Sequence, residues 1–175
     1  MEISVRGMQP DDWRAVTRIY AEGIETNKAT FETHCPEYVQ WDSAHLPGCR
    51  LVAQRGDEVI GWAALSPVSG RCVYGGVAEV SVYIAAAARG QGAGTLLLKT
   101  IWQQAQDEGL WTLQSGIMQD NEASIRLHEA CGFRMVGYRE RIAKDQYGAW
   151  RNTVLMERRR PQDEPEKGGC TCCPK

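Results

Sequence analysis

Residues 80–105 read VSVYIAAAARGQGAGTLLLKTIWQQA, and this stretch decides the fold. Val80, Val82 and Ile84 alternate with Ser81 and Tyr83, and Glu79 precedes them in step. A period of two predicts a strand over 77–84. Leu96, Leu97, Leu98, Ile101, Trp102 and Ala105 then follow helical spacing, ending before Gly109. Between strand and helix lies RGQGAG, residues 89–94. Glycines 90, 92 and 94 strip side chains from a turn that opens a helix. Their N–H groups can converge on an anion at the positive end of the helix dipole, and a phosphate or pyrophosphate suits that place. Arg89 adds a permanent charge with a bidentate fork. A nucleotide P-loop would need a lysine after its last glycine, where Thr95 stands. The G-x-G-x-G spacing and its late position also depart from a dinucleotide fingerprint. The bland alternative is a glycine-rich turn that holds nothing.

Outward from this centre, Ile3 and Val5 mark a short strand, and Pro10 with Asp11 and Asp12 starts a helix. Trp13, Val16, Ile19, Tyr20 and Gly23 continue that helix, the loop ETNKATFET follows, and Pro36 opens a second helix over about 36–45. CRLVAQ and VIGWAALS are strand-like runs joined by RGDE, a hairpin signal. After the central strand and helix, TLQSGIM at 112–118 is a strand, and NEASIRLHEAC at 121–131 is a helix closed by Gly132. Two last strands, about 133–142 and 150–157, flank KDQYG. The order β-α-α-β-β-β-α-β-α-β-β predicts one α/β (α+β) domain over 1–157, built on a mixed sheet.

A length of 175 residues suits a single domain with a real core. Twenty basic against 22 acidic residues give a net charge of −2, which argues against a nucleic-acid partner. No apolar run reaches membrane-spanning length, and MEISVRGMQPDDW lacks the apolar core of a secretory signal. Seven cysteines without regular spacing point to a reducing, cytoplasmic setting rather than a disulfide framework. Residues 158–175, rich in charge, Pro and Gly, are expected to form a flexible tail. The tail ends in Cys170, Cys172 and Cys173, a C-x-C-C cluster suited to a soft metal or trivalent arsenic. Three ligands at that spacing fall short of a zinc site, so no metal is expected.

The second informative motif begins at Asn121: Asn121-x-x-Ser124-x-x-x-His128-x-x-x-Gly132-Phe133. Together with RGQGAG it resembles the GNAT acetyltransferase superfamily over about residues 1–157. The resemblance implies a mostly antiparallel central sheet flanked by helices, with acetyl-CoA as co-substrate. It implies that Arg89, Gly90, Gln91, Gly92, Ala93 and Gly94 hold the pyrophosphate. Asn121 and Ser124 would make further cofactor contacts, and the backbone of Val82, Tyr83 and Ile84 would pair with the pantetheine arm. An amide there would stabilise charge developing on the thioester oxygen.

NKATFET (27–33), PVSGRCVYGGVAEVSVYI (67–84) and SIRLHEACGF (124–133) are similar to the phosphinothricin N-acetyltransferase group. That group acetylates the α-amine of phosphinothricin, methionine sulfoximine, methionine sulfone and arsinothricin, small amino-acid-like acceptors tied to metabolism or to antibiotic and herbicide resistance. Acetyl transfer needs a neutral amine, so a base must take a proton. The resemblance assigns that role to Glu79; the alternative is a surface strand glutamate. His128 lies two helical turns from Asn121 on the same face, and acid, base or cofactor contact all remain open for it. The resemblance places Arg71, Tyr74, Phe31 and Thr30 in the acceptor pocket, with Arg71 facing the substrate carboxylate. Trp150 suits either the pocket or a dimer interface. A homodimer is expected because the group usually forms one, and six tryptophans supply interface-type surface. Two competing readings remain: transfer to another amine (polyamine, aminoglycoside or protein N-terminus), and a non-catalytic acyl-CoA-binding or metal- or arsenic-binding protein.

Overall fold

Pro10–Asp12 forms one tight 3-10 turn because Pro10 needs no N–H partner there. The Asp12 carboxylate accepts from the Gln9 amide (2.7 Å) and from both Arg6 Nη atoms (2.7 and 2.8 Å). The Arg6 fork holds that carboxyl below the usual carboxylate range. Helix α1 (Trp13–Glu25) continues from it and turns Val16, Ile19, Tyr20, Gly23 and Ile24 inward. The computed structural model describes residues 2–161.

The remaining elements run in the expected order: β1 (Ile3–Gly7), α1, α2 (Tyr38–Ala44), β2 (Leu51–Arg55), β3 (Glu58–Pro67), β4 (Val77–Ile84), α3 (Ala93–Asp107), β5 (Thr112–Met118), α4 (Glu122–Ala130), β6 (Arg134–Lys144) and β7 (Trp150–Arg159). They build one seven-stranded sheet in the order β1-β2-β3-β4-β5-β7-β6. Every neighbouring pair is antiparallel except β4 with β5. Strand β3 reads as an almost unbroken apolar run because both its faces are covered; α1 and α3 pack against it. The core gathers Ile19, Trp41, Trp62, Leu65, Leu97, Leu98, Ile101 and Leu113 at full burial. Cys49 and Cys131 sit in it as small apolar residues, and burial pushes the Cys49 thiol up to about 12.

Several boundaries differ from the sequence reading; helix α2 begins at Tyr38, after Glu37 in an extended N-cap conformation, rather than at Pro36. Strand β7 continues through Arg158 and Arg159, which pair with Leu113 and Thr112 of β5, and the Arg160 amide still donates to the Trp111 carbonyl at 3.0 Å. The arginine run was assigned to the tail for its charge, yet the Arg158 guanidinium lies 4.6 Å from the Trp102 ring centre and covers it. Strand β6 also extends two residues further, to Lys144. The C-x-C-C cluster lies outside the described residues.

Candidate active site

Strands β4 and β5 are parallel, but they pair only through Val77–Glu79 against Thr112–Gln114. Beyond Glu79 they part. The other edge of β4 stays bonded to β3 through Ile84, so alternate backbone groups of residues 80–84 face an opening instead of a neighbouring strand. Two cavities occupy this splay, one of about 620 Å³ and one of about 360 Å³. They share the walls Lys28, Ala29, Val82, Tyr83, Asn121 and Ser124.

The larger cavity runs along the glycine loop. Arg89, Gly90, Gly92, Ala93 and Gly94 line it, with Val82, Tyr83, Ile84, Asn121 and Ser124. Gly90 and Gly92 take φ of +73° and +91°, a region side chains avoid, and a Cβ on either would meet only open space. Their absent side chains therefore serve backbone shape and leave the loop bare toward the cavity. Gly94 has a different reason: a Cβ there would come within 2.9 Å of Leu127 Cδ2, so it lets α3 approach α4. Gly92 caps α3, and the first-turn amides of that helix have no partner inside it. This donor set fits a pyrophosphate. Gln91 departs from the expectation. Its side chain bonds Arg55 and the Ala87 carbonyl and does not line the cavity, so it offers only backbone to the loop.

The smaller cavity holds the chemistry-bearing side chains. Glu79 and His128 both line it, with Thr30 and Phe31 from the loop after α1. Gln114 Nε2 donates to Glu79 Oε2 at 3.2 Å, across the last paired rung of the splay. His128 is 1 % exposed. Its Nδ1 lies 2.8 Å from the Ser124 carbonyl, which can only accept, so Nδ1 carries the hydrogen. Nε2 is then a bare acceptor, and it has no partner among the described residues. Burial holds the imidazole pKa below its ordinary value, with the Ser124 carbonyl opposing weakly. A neutral ring with a free Nε2 lone pair can take a proton or orient a water. Tyr83 is fixed from three sides: Trp62 stacks on it at 4.7 Å, Tyr20 meets it edge-on at 4.8 Å, and a Cβ on Gly23 would strike its ring at 2.7 Å.

The buried neutral histidine makes stability depend on pH. Protonation is disfavoured in the folded chain, so the unfolded chain binds the proton first as pH falls. Stability should drop as pH falls below about 6.5, the unfolded value. His45 is also held low by burial and contributes to the same slope. Denaturant melts from pH 7 to pH 5 should show a shallower loss in His128→Gln than in wild type; identical slopes would show that His128 does not contribute.

Arg71 and Tyr74 are not brought to this cleft. The chain leaves β3 at Pro67 and re-enters β4 at Val77, and between them Arg71 stacks on the Tyr74 ring at 5.7 Å in the exposed loop. That loop sits at the paired end of β4, where the Trp111 amide donates to the Gly76 carbonyl at 2.8 Å, whereas the splay opens at the other end. Trp150 is exposed beneath the Lys144 ammonium and lines neither cavity. The one cation among the described residues lining the smaller cavity is Lys28, accompanied by Glu32, Tyr20, Ser115, Met118 and Thr153, none of which the sequence reading named as site residues. Asn121 braces Lys28, donating through Nδ2 to its carbonyl at 3.0 Å while Oδ1 caps α4 by accepting from Ser124 N at 3.2 Å.

The profile described as "Acetyltransferase (GNAT) family" matches residues 13–133. The phosphinothricin N-acetyltransferase of Alcaligenes faecalis is 36% identical over 164 residues, covering 89% of this chain and 81% of that one. The enzyme of the same name from Streptomyces coelicolor is 35% identical over 148 residues, covering 79% and 86%. A crystal structure of a GNAT superfamily phosphinothricin acetyltransferase from Sinorhizobium meliloti, in complex with AcCoA, superposes with a TM-score of 0.85 at 26% identity, covering 98% of this chain and 97% of that one. A splayed parallel pair, a bare glycine loop at a helix start and an asparagine-capped helix beside it are thus joined to sequence likeness over most of the chain: the protein belongs to the GNAT family of N-acetyltransferases.

Proposed function

We propose that the protein transfers an acetyl group from acetyl-CoA directly to the α-amine of a small phosphinothricin-like amino acid. The acceptors in view are phosphinothricin, arsinothricin, methionine sulfoximine and methionine sulfone. The observation that carries the reading is that Glu79 and the unpartnered His128 Nε2 line a cavity sharing its walls with the glycine-loop cleft. The acyl-CoA supplies an activated thioester; everything else falls to this chain's residues. The bare loop at Arg89–Gly94 and the start of α3 hold the pyrophosphate. Unpaired amides along residues 80–84 stabilise the acyl oxygen. Glu79 takes the amine proton, directly or through a water held by His128 Nε2. Lys28 meets the acceptor's carboxylate or phosphinate, the role the resemblance gave to Arg71. Homodimerisation and a cytoplasmic setting belong to the same proposal. Exposed Met135, Val136, Tyr138 and Ile142 on β6 support a self-association surface, which sedimentation at micromolar concentration reads directly.

A thiol-release assay tests the reading. Phosphinothricin and methionine sulfoximine should exceed spermidine and kanamycin in kcat/KM by about 10²-fold or more, because Lys28 can pair with the carboxylate that the amino acids carry and the polyamine and aminoglycoside lack. A preference for the cationic amines would favour the other-amine reading. No thiol release with any amine would favour a non-catalytic acyl-CoA-binding protein.

A further inference from the structure

Arg151, at the start of β7, joins three segments, two of which, the loop after α1 and the β5–α4 connection, supply walls of the acceptor-side cavity. Its Nη1 donates to the Asn27 carbonyl at 2.7 Å and to Asp145 Oδ2 at 3.2 Å, and its Nη2 donates to Asp120 Oδ1 at 2.8 Å. Asn27 Nδ2 donates to the same Asp145 Oδ2 at 2.9 Å, while Asp145 Oδ1 accepts from the Tyr147 and Ala149 amides. The side chains of Arg151 and Asp145 are 13% and 5% exposed. The Arg151–Asp145 pair is therefore nearly enclosed, with Asp120 half-exposed at its rim, and such charge-assisted bonds hold one geometry. They fasten the loop after α1 to the β6–β7 turn and to the β5–α4 connection. Asn27 adopts φ of +53°, a left-handed conformation that asparagine tolerates, and this turns the chain so that residues 28–32 run along the cavity. The Asn121 bond to the Lys28 carbonyl adds a second tie one residue further on. Asp145 has a pKa held at about 2, chiefly by the Asn27 amide, so it stays ionised at any working pH.

We propose that Arg151 is a positioning residue: it fastens the loop carrying Lys28, Thr30, Phe31 and Glu32 against the acceptor cavity, and so sets affinity for the acceptor without taking part in the chemistry. The effect on affinity rests on the acyl-acceptor reading of that cavity. The fastening itself does not.

The test uses Arg151→Lys and Arg151→Ala in the full chain. Lysine keeps the charge beside Asp145 and preserves the fold, but a single ammonium cannot copy the fork that reaches Asp120 and the Asn27 carbonyl together. Arg151→Lys should raise the acceptor KM about tenfold, leaving kcat and the acetyl-CoA KM within about threefold, because Thr30, Phe31 and Glu32 of the loop line only the acceptor-side cavity and Lys28 and Ala29 form just one edge of the glycine-loop cleft. Arg151→Ala should raise it further, with a lower Tm. Trypsin gives a readout that needs no activity. The bond after Lys28 should be cut in native Arg151→Lys about ten times faster than in wild type, since cleavage follows the population of the opened loop. An acceptor KM within twofold of wild type in both variants, or an equal rise in the acetyl-CoA KM, would overturn the proposal. If wild type acetylates no amine, the functional reading falls and trypsin alone decides the fastening: faster cutting supports it and equal cutting overturns it.

Discussion

Glu79→Gln should lower kcat at neutral pH by about 10² to 10⁴, the usual worth of one positioned general base. The substitution is nearly isosteric, and the new side chain can still accept from Gln114 across the rung where β4 and β5 part. Shape and strand pairing therefore survive, and what is lost is basicity. The acetyl-CoA KM should stay close to wild type, since Glu79 lines the acceptor-side cavity and not the glycine-loop cleft. The pH profile separates a lost base from lost geometry. Without a base, activity depends on amine already neutral in solution, a fraction that grows about tenfold per pH unit below the amine's pKa. The variant should thus recover steadily with pH while wild type levels off. A kcat within about threefold of wild type would remove Glu79 from the mechanism. If His128→Gln then showed the large loss instead, the proton would go to the free Nε2 of the imidazole.

Gly92→Asp should raise the acetyl-CoA KM by about 10²-fold, with a smaller change in kcat, because it adds like charge where a pyrophosphate is to bind. Space is not the obstacle, since a Cβ at this position meets nothing within 4 Å. Two other effects are. The φ of +91° strains any side chain by roughly 1–3 kcal/mol, which should appear as a lower Tm. The new carboxylate also sits at the start of α3, where the helix dipole would favour it in place of the ligand. Gly92→Asn carries similar backbone strain without the charge. It should lower Tm at least as much, lacking the carboxylate's favourable contact with the helix dipole, but cost much less acetyl-CoA affinity. Equal losses in the two variants would reduce the effect to backbone shape. An Asp variant that folds and binds acetyl-CoA like wild type would end the phosphate reading of the loop.

The centre of the fold was legible because β4 and α3 switch from period two to helical period across a glycine turn, and nothing but local sequence is needed to see it. The cofactor side was legible for the same reason: its donors are backbone groups of one short segment. The smaller cavity was legible only in part: Glu79, His128, Thr30 and Phe31 line it, while Arg71 and Tyr74 do not. Where β4 and β5 part is a tertiary fact; TLQSGIM reads the same whether three rungs are paired or seven. Glu79 stands at that parting because it occupies the last rung, not because of its own alternation. Arg71 lies eight residues upstream of Glu79, but sequence distance carries no direction, and its loop leaves from the paired end of the strand. Lys28 has no periodic signature, being one exposed lysine in an irregular loop. Arg151 and Asp145 meet Asn27 across more than a hundred residues, so no spacing could announce them. Gln91, within the loop motif, shows the converse: motif membership did not fix its side chain, which the neighbouring Arg55 draws aside.

The central claim is that two cavities sharing one wall bring acyl donor and amine together for direct transfer. Among the described residues no cysteine lines either cavity, so neither offers a thiol to carry the acetyl group in between. The most direct measurement is the initial-velocity pattern, with acetyl-CoA varied at several fixed concentrations of phosphinothricin. Direct transfer requires both substrates bound at once, and reciprocal plots that intersect are the result expected. Parallel lines, together with release of CoA in the absence of an acceptor, would mean a covalent acyl-enzyme and would contradict the account.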